Sequence, residues 1–135
     1  MAAPASASPV REAIARKLQK QPKVQVELFV MSQCPFGVRA EEAMAPVLKE
    51  FGEQVDFQLR FIANPTGNGF TSLHGQPEVD EDLRQTVMAA QFPQQYFDYV
   101  VARASDYRNA EWQPAAIAAA PAQPPAIFFP LLEFI

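Results

Sequence analysis

At 135 residues, with 49% hydrophobic and 19% charged side chains, the chain is long enough for one domain with its own core. A net charge of −4 and the lack of any basic block argue against nucleic acid or an anionic membrane surface as the main partner. No apolar run approaches the ~20 residues that a membrane-spanning helix needs, and a single cysteine excludes an intramolecular disulfide.

Residues 1–8 are rich in Ala, Pro and Ser and lack the basic and apolar regions of a signal peptide. Together with the lone cysteine this points to a reducing, cytoplasmic setting, and a periplasmic or secreted one follows if a leader has been trimmed. One cysteine and one histidine are too few for a structural zinc, so no metal and no resident cofactor are expected.

Residues 1–22 read as an N-terminal extension with a short amphipathic helix over 9–20. Pro9 stands at its first position and Val10, Ile14 and Leu18 form its stripe. Residues 23–62 read as a strand–helix–strand unit. The first strand, 23–31, is rich in Val, Leu and Phe and is expected to be mostly buried. The helix, 35–51, carries Val38, Met44, Val47, Leu48 and Phe51 on one stripe, with a kink expected at Pro46 and an end at Gly52. The second strand, 54–62, alternates Val55, Phe57, Leu59 and Phe61 with polar residues. Short links make this a βαβ unit with parallel neighbouring strands.

Residues 63–120 read as a loop and a helical insertion. Asn64 to Gly69 is a turn cluster, and 70–77 a loop. Glu78, Asp80, Glu81 and Asp82 then open a helix as a solvated acidic cap, with Val79, Leu83, Val87 and Ala90 as its apolar stripe. Pro93 separates it from a helix holding Tyr96, Phe97, Val100, Val101 and Ala104, and residues 112–120 are weakly helical. Tyr96, Phe97, Tyr99 and Trp112 are read as core. Residues 121–135 form an apolar tail, in which 126–135 offers a surface for self-association unless it packs as a strand.

Cys34 is the residue that carries chemistry. It ends the first strand and opens the helix, with Pro35 set for the first turn. A helix N-terminus stabilises a thiolate through its unpaired N–H groups and positive dipole end. Two readings stand: a nucleophile toward disulfides, or a small buried hydrophobe. Gly37 lies three residues on, where a resolving cysteine would complete a Cys-x-x-Cys pair, so a second thiol must come from outside the chain. His74, the sole imidazole, reads as a loop histidine hydrogen-bonded to backbone, with a base or proton shuttle as the alternative. Pro125, ahead of Ala126-Ile127-Phe128-Phe129, is a candidate cis proline facing the thiol.

Cys34-Pro35-Phe36-Gly37 at the first strand–helix junction resembles the thioredoxin-like superfamily over residues 24–62. Ser72-Leu73-His74-Gly75-Gln76-Pro77-Glu78-Val79-Asp80-Glu81-Asp82 resembles the signature of the gamma-interferon-inducible lysosomal thiol reductase family, Cys-Gln-His-Gly-x-x-Glu-Cys-x-x-Asn. His74, Gly75 and Glu78 agree; Ser72, Val79 and Asp82 depart. Residues 24–112 are similar to this branch and to bacterial disulfide oxidoreductases with a helical insertion. The resemblance implies an α/β, thioredoxin-like βαβ core with a helical insertion, its C-terminal hairpin missing or degenerate. It also implies Cys34 as the attacking group, with Pro35, Phe36, Gly37, His74 and Pro125 around it. The expected activity is monothiol exchange with protein disulfides, glutathione being a possible co-substrate. The alternative is a non-catalytic binding module, or an incomplete remnant, that associates through its tail.

Overall fold

The computed structural model describes residues 8–120, which form a mixed α/β unit with two small sheets. Pro125 and the 126–135 tail lie outside the described residues. In chain order the elements are α1 (Pro9–Gln19), β1 (Val24–Val30), α2 (Pro35–Phe51), a 3-10 turn (Gly52–Gln54), β2 (Val55–Phe61), β3 (Asn64–Thr66), β4 (Gly69–Thr71), α3 (Gln76–Gln91), α4 (Tyr96–Ala104) and α5 (Gln113–Ala119).

β1 and β2 pair in parallel, Val24 opposite Val55 through Val30 opposite Phe61, with α2 between them in sequence. The parallel ladder continues one residue further, Ile62 N–H donating to Val30 O at 2.9 Å. Cys34 therefore sits beyond the carboxyl end of β1, the edge where open α/β sheets place their sites. α2 runs unbroken through Pro46 to Phe51.

β1 is not mostly buried. Val26 and Leu28 are half-buried and Val30 is buried, while Val24 and Phe29 are exposed. The outward face is polar instead: Glu27 and Arg60 form an ion pair across the two strands at 2.9 Å. Val10 and Ile14 of α1, two residues of that helix's expected stripe, also face solvent. On α2 only Val38 of the expected stripe is fully buried; Val47 and Phe51 are exposed, and the acid Glu41 is buried in their place.

Two further expectations are corrected beyond β2. Residues 64–71 form an antiparallel hairpin, Asn64 opposite Thr71 and Thr66 opposite Gly69, rather than a turn and a loop. Three-residue strands are too short to show alternation. α3 begins at Gln76, two residues earlier than expected, with Pro77 in its first turn, where the missing N–H costs nothing. Its acidic residues are not a solvated cap. Glu78, Glu81 and Asp82 are buried with Arg84 and Gln85, while Leu83 and Ala90 of the expected apolar stripe are exposed.

Glu81 is paired with buried arginines. Glu81 accepts from Tyr99 OH at 3.0 Å and Gln85 Nε2 at 3.1 Å, and also from Arg84. Arg103 Nε lies 3.3 Å from the same carboxylate, and its two NH groups donate to the carbonyls of Asp106, Tyr107 and Asn109. Arg84 in turn lies over the Trp112 ring, 4.8 Å from its centroid. The apolar core sits alongside: Met88, Phe92, Tyr99, Trp112, Ala116 and Ala119 pack α3, α4 and α5 together. Tyr99 and Trp112 are buried as expected, while Tyr96 and Phe97 are half-buried, Phe97 meeting Phe57 of β2 edge to face at 5.4 Å.

Candidate functional site

Between β1 and α2 the chain makes one tight turn. Cys34 N–H donates to Met31 O at 3.0 Å, and Val38 N–H to Cys34 O at 3.0 Å, which starts the helix. Cys34 is the N-cap residue, with extended backbone (φ −85°, ψ 124°), and its sulfur makes no capping hydrogen bond. The residue is half-buried and the thiol is free. Phe36, two residues on, is 78% exposed.

Gly37 has a packing reason to be glycine. A Cβ built there would lie 3.0 Å from Met31 O and 3.3 Å from Val30 Cβ. The first turn of α2 rests on the end of β1, and a side chain at this position, cysteine included, would push the two apart.

The turn before the thiol is held from below by α3. Gln33 N–H donates to Glu78 Oε2 at 2.9 Å, Ser32 N–H to Asp82 Oδ1 at 3.3 Å, and Ser32 Oγ to Glu78 O at 3.3 Å. Ser32 and Gln33 are both buried, so these bonds meet a requirement of the turn: buried backbone donors need acceptors.

The same Glu78 carboxylate gathers the His74 loop. His74 Nδ1 lies 2.7 Å from Glu78 Oε2, His74 N–H donates to Oε1 at 3.3 Å, and Ser72 Oγ is hydrogen-bonded to Oε1. This corrects the expectation that His74 bonds to backbone: its ring partner is a carboxylate. Glu78 stands in the first turn of α3, where a carboxylate reaching back to a preceding N–H is a recognised cap. Gly75, the N-cap, has φ 83°, which places the loop in a conformation that side chains disfavour.

Glu78 is fully buried. Burial pushes its carboxyl pKa up, but the hydrogen bonds from Ser72, Gln33 and His74 outweigh this and hold it below the ordinary range. An ionised carboxylate only accepts, so Nδ1 carries the proton in this pair and Nε2 is the acceptor in the neutral ring. Asp82 differs. Burial raises it to about 6 despite its bonds to Ser32, with the charges of Glu78 and Glu81 adding to the rise.

The structure thus brings Cys34, Pro35, Phe36, Gly37 and His74 to one end of the sheet, with Gln33 and His74 sharing Oε2 of Glu78. Pro125 lies outside the described residues. Glu78, which the sequence marks as part of an acidic helix start and as a match to the reductase signature, is the member that joins the two segments, and its place four residues after His74 suits an i, i+4 contact. A hollow of about 720 Å³ runs between Ala45–Lys49 of α2 and Phe97–Ala102 of α4, and Cys34 does not line it. A cleft of about 360 Å³ lies between β2, Phe70 and α3, with Asp82 in its wall.

Among the described residues no group of three or more His, Cys, Asp or Glu side chains is placed to hold a metal ion, and no helix is long and apolar enough to cross a membrane. Comparison with protein-family models, with curated proteins and with solved structures returns no match.

Proposed function

We propose that the chain is a thioredoxin-like domain that performs thiol–disulfide exchange through Cys34 alone. The thiolate attacks one sulfur of a disulfide; a new S–S bond forms as the old one breaks, and the other half leaves as a thiolate. A second thiol, from glutathione or a partner protein, then attacks the substrate sulfur of the mixed disulfide and releases Cys34. The substrate group passes from one sulfur to another, and the chain ends as it began.

The observation that carries this reading is the shared Glu78 carboxylate. Itself 45 residues from Gln33 in sequence, it joins the turn immediately before Cys34 to the His74 loop. A buried ionised group that does nothing but hold these two segments is costly unless its hydrogen bonds are complete, and here they are. The parallel β1–α2–β2 unit, with the cysteine at its carboxyl edge, supports the same reading. So does the free thiol at a helix N-cap.

A non-catalytic binding module is the second reading. It is favoured by Phe36 and Leu73, each 78% exposed on the two segments that Glu78 ties together. One experiment separates the two. Intact-mass analysis after incubation with oxidised glutathione is expected to show a single glutathione adduct on the wild type, none on Cys34→Ser, and its removal by reduced glutathione. A wild type that stays unmodified, or an adduct that reduced glutathione leaves in place, overturns exchange and leaves the binding reading.

A further inference from the structure

Glu41 lies in the second turn of α2, seven residues after the N-cap Cys34. The side chain is 2% exposed, and its Oε1 has no hydrogen-bond partner. The groups around it are mostly acidic. Glu81 and Asp82 approach from α3, Tyr96 from α4, and Glu42 stands beside it on α2. Arg103 of α4 and Tyr107 line the same interior seam, but the Arg103 NH groups already bond to three carbonyls and its Nε lies beside Glu81. Glu41 is left without a cation.

The seam is too narrow to admit a water molecule. A carboxylate this deeply buried, with no counter-charge and one oxygen unpartnered, is disfavoured against its neutral acid. Burial first, and then the charges of Glu81, Asp82 and Glu42, raise the Glu41 pKa from an ordinary 4.5 to about 8. Ser32 lines this seam too, and it is the residue that Asp82 and Glu78 hold two places before the thiol. Glu41 and the Cys34 turn thus share one wall of packing.

We propose that Glu41 is a proton-held positioning residue for the Cys34 turn. As the neutral acid it lets the first half of α2 lie against α3 and α4. When its proton passes to solvent, repulsion from Glu81 and Asp82 and the need for water drive that half of the helix outward, carrying Cys34 with it. The functional meaning rests on the exchange reading of Cys34; the packing argument does not.

The test is a carboxyl-carbon NMR titration of the Cys34→Ser protein, in which the thiol itself cannot titrate. Glu41 is expected to titrate with a midpoint near pH 8, and the backbone amides of Ser32 and Gln33 are expected to shift with the same midpoint. A separate step near pH 6 at Ser32 belongs to Asp82, its direct partner. In Glu41→Gln on the same background the step near 8 disappears from both amides. A Glu41 midpoint near 4.5, or amides that shift near 8 whether or not Glu41 is present, overturns the proposal. If Glu41→Gln does not fold, agreement or disagreement between the Glu41 carboxyl midpoint and the two amide midpoints decides it alone. A Cys34 inert to oxidised glutathione, with the Glu41 midpoint near 8, removes the exchange reading and leaves this one. A reactive Cys34 with Glu41 at 4.5 does the reverse.

Discussion

Glu78 places four polar contacts on two oxygens: Gln33 N–H, His74 N–H, His74 Nδ1 and Ser72 Oγ. Hydrogen bonds to a charged group contribute about 1.5–3 kcal/mol each, and a buried donor left without an acceptor costs about 1–3 kcal/mol. Glu78→Ala leaves two buried or half-buried backbone donors unmet, at Gln33 and His74. Its expected cost is about 3 kcal/mol by urea unfolding, a large share of a stability of about 5–15 kcal/mol. Glu78→Gln, which keeps one acceptor oxygen, is expected to lose less. An alanine variant within about 0.5 kcal/mol of wild type, the range of an ordinary surface change, shows that the turn does not need this anchor. The residue was half legible. Its spacing from His74 is visible in the sequence, but the partner at Gln33 lies 45 residues upstream and follows only from the docking of α3 on the turn after β1.

Two elements meet at Gly37, where the first turn of α2 rests on the end of β1. Helical propensity favours alanine over glycine by about 1 kcal/mol. Contact with Met31 O, 3.0 Å from the added Cβ, opposes it, and overpacking of this kind costs about 1–3 kcal/mol. The clash is with backbone rather than a flexible side chain, so Gly37→Ala is expected to destabilise by a net of up to about 2 kcal/mol in thermal or urea unfolding. A stabilised variant would mean that α2 does not approach β1 so closely. At this scale the sequence was most readable where periodicity was long. α2 and β2 follow from their patterns, and α4 from its aromatic and Val stripe. α3 was readable as a helix but not for its orientation. Glu78, Glu81 and Asp82 look solvated in sequence because Tyr99, which donates to Glu81, and Arg103, which pairs with it, come from a different helix. The hairpin over 64–71 was hidden by the shortness of its strands.

Across the whole molecule, the buried carboxyls set how stability depends on pH. Glu41 and Asp82 have folded-state pKa values raised to about 8 and about 6, so the folded state holds protons that the unfolded chain has released. Their contribution is complete below the ordinary carboxylate range and is lost as pH rises through those values. Glu78 runs the other way: its depressed pKa contributes stability above the ordinary range that is lost in strong acid. The two trends give a maximum on the mildly acidic side. Between about pH 5 and 8 the unfolding free energy is expected to fall by on the order of 1 kcal/mol per pH unit, one proton being worth about 1.4 kcal/mol per unit. Urea midpoints across that interval measure it, and Glu41→Gln is expected to flatten the slope. A midpoint that rises toward pH 8 reverses the assignment of Glu41 as a neutral buried acid.

The long reach of the Glu78 and Asp82 contacts has a further consequence, in the order in which a ribosome delivers the chain. Ser32 meets Asp82 across 50 residues, and Gln33 meets Glu78 across 45. At about 5–20 residues per second, translation delivers Cys34 roughly 2–10 seconds before the residues that anchor its turn. During that interval the backbone donors of Ser32 and Gln33 have neither of their native acceptors, so the thiol's turn takes its final shape only once α3 has been made and docked.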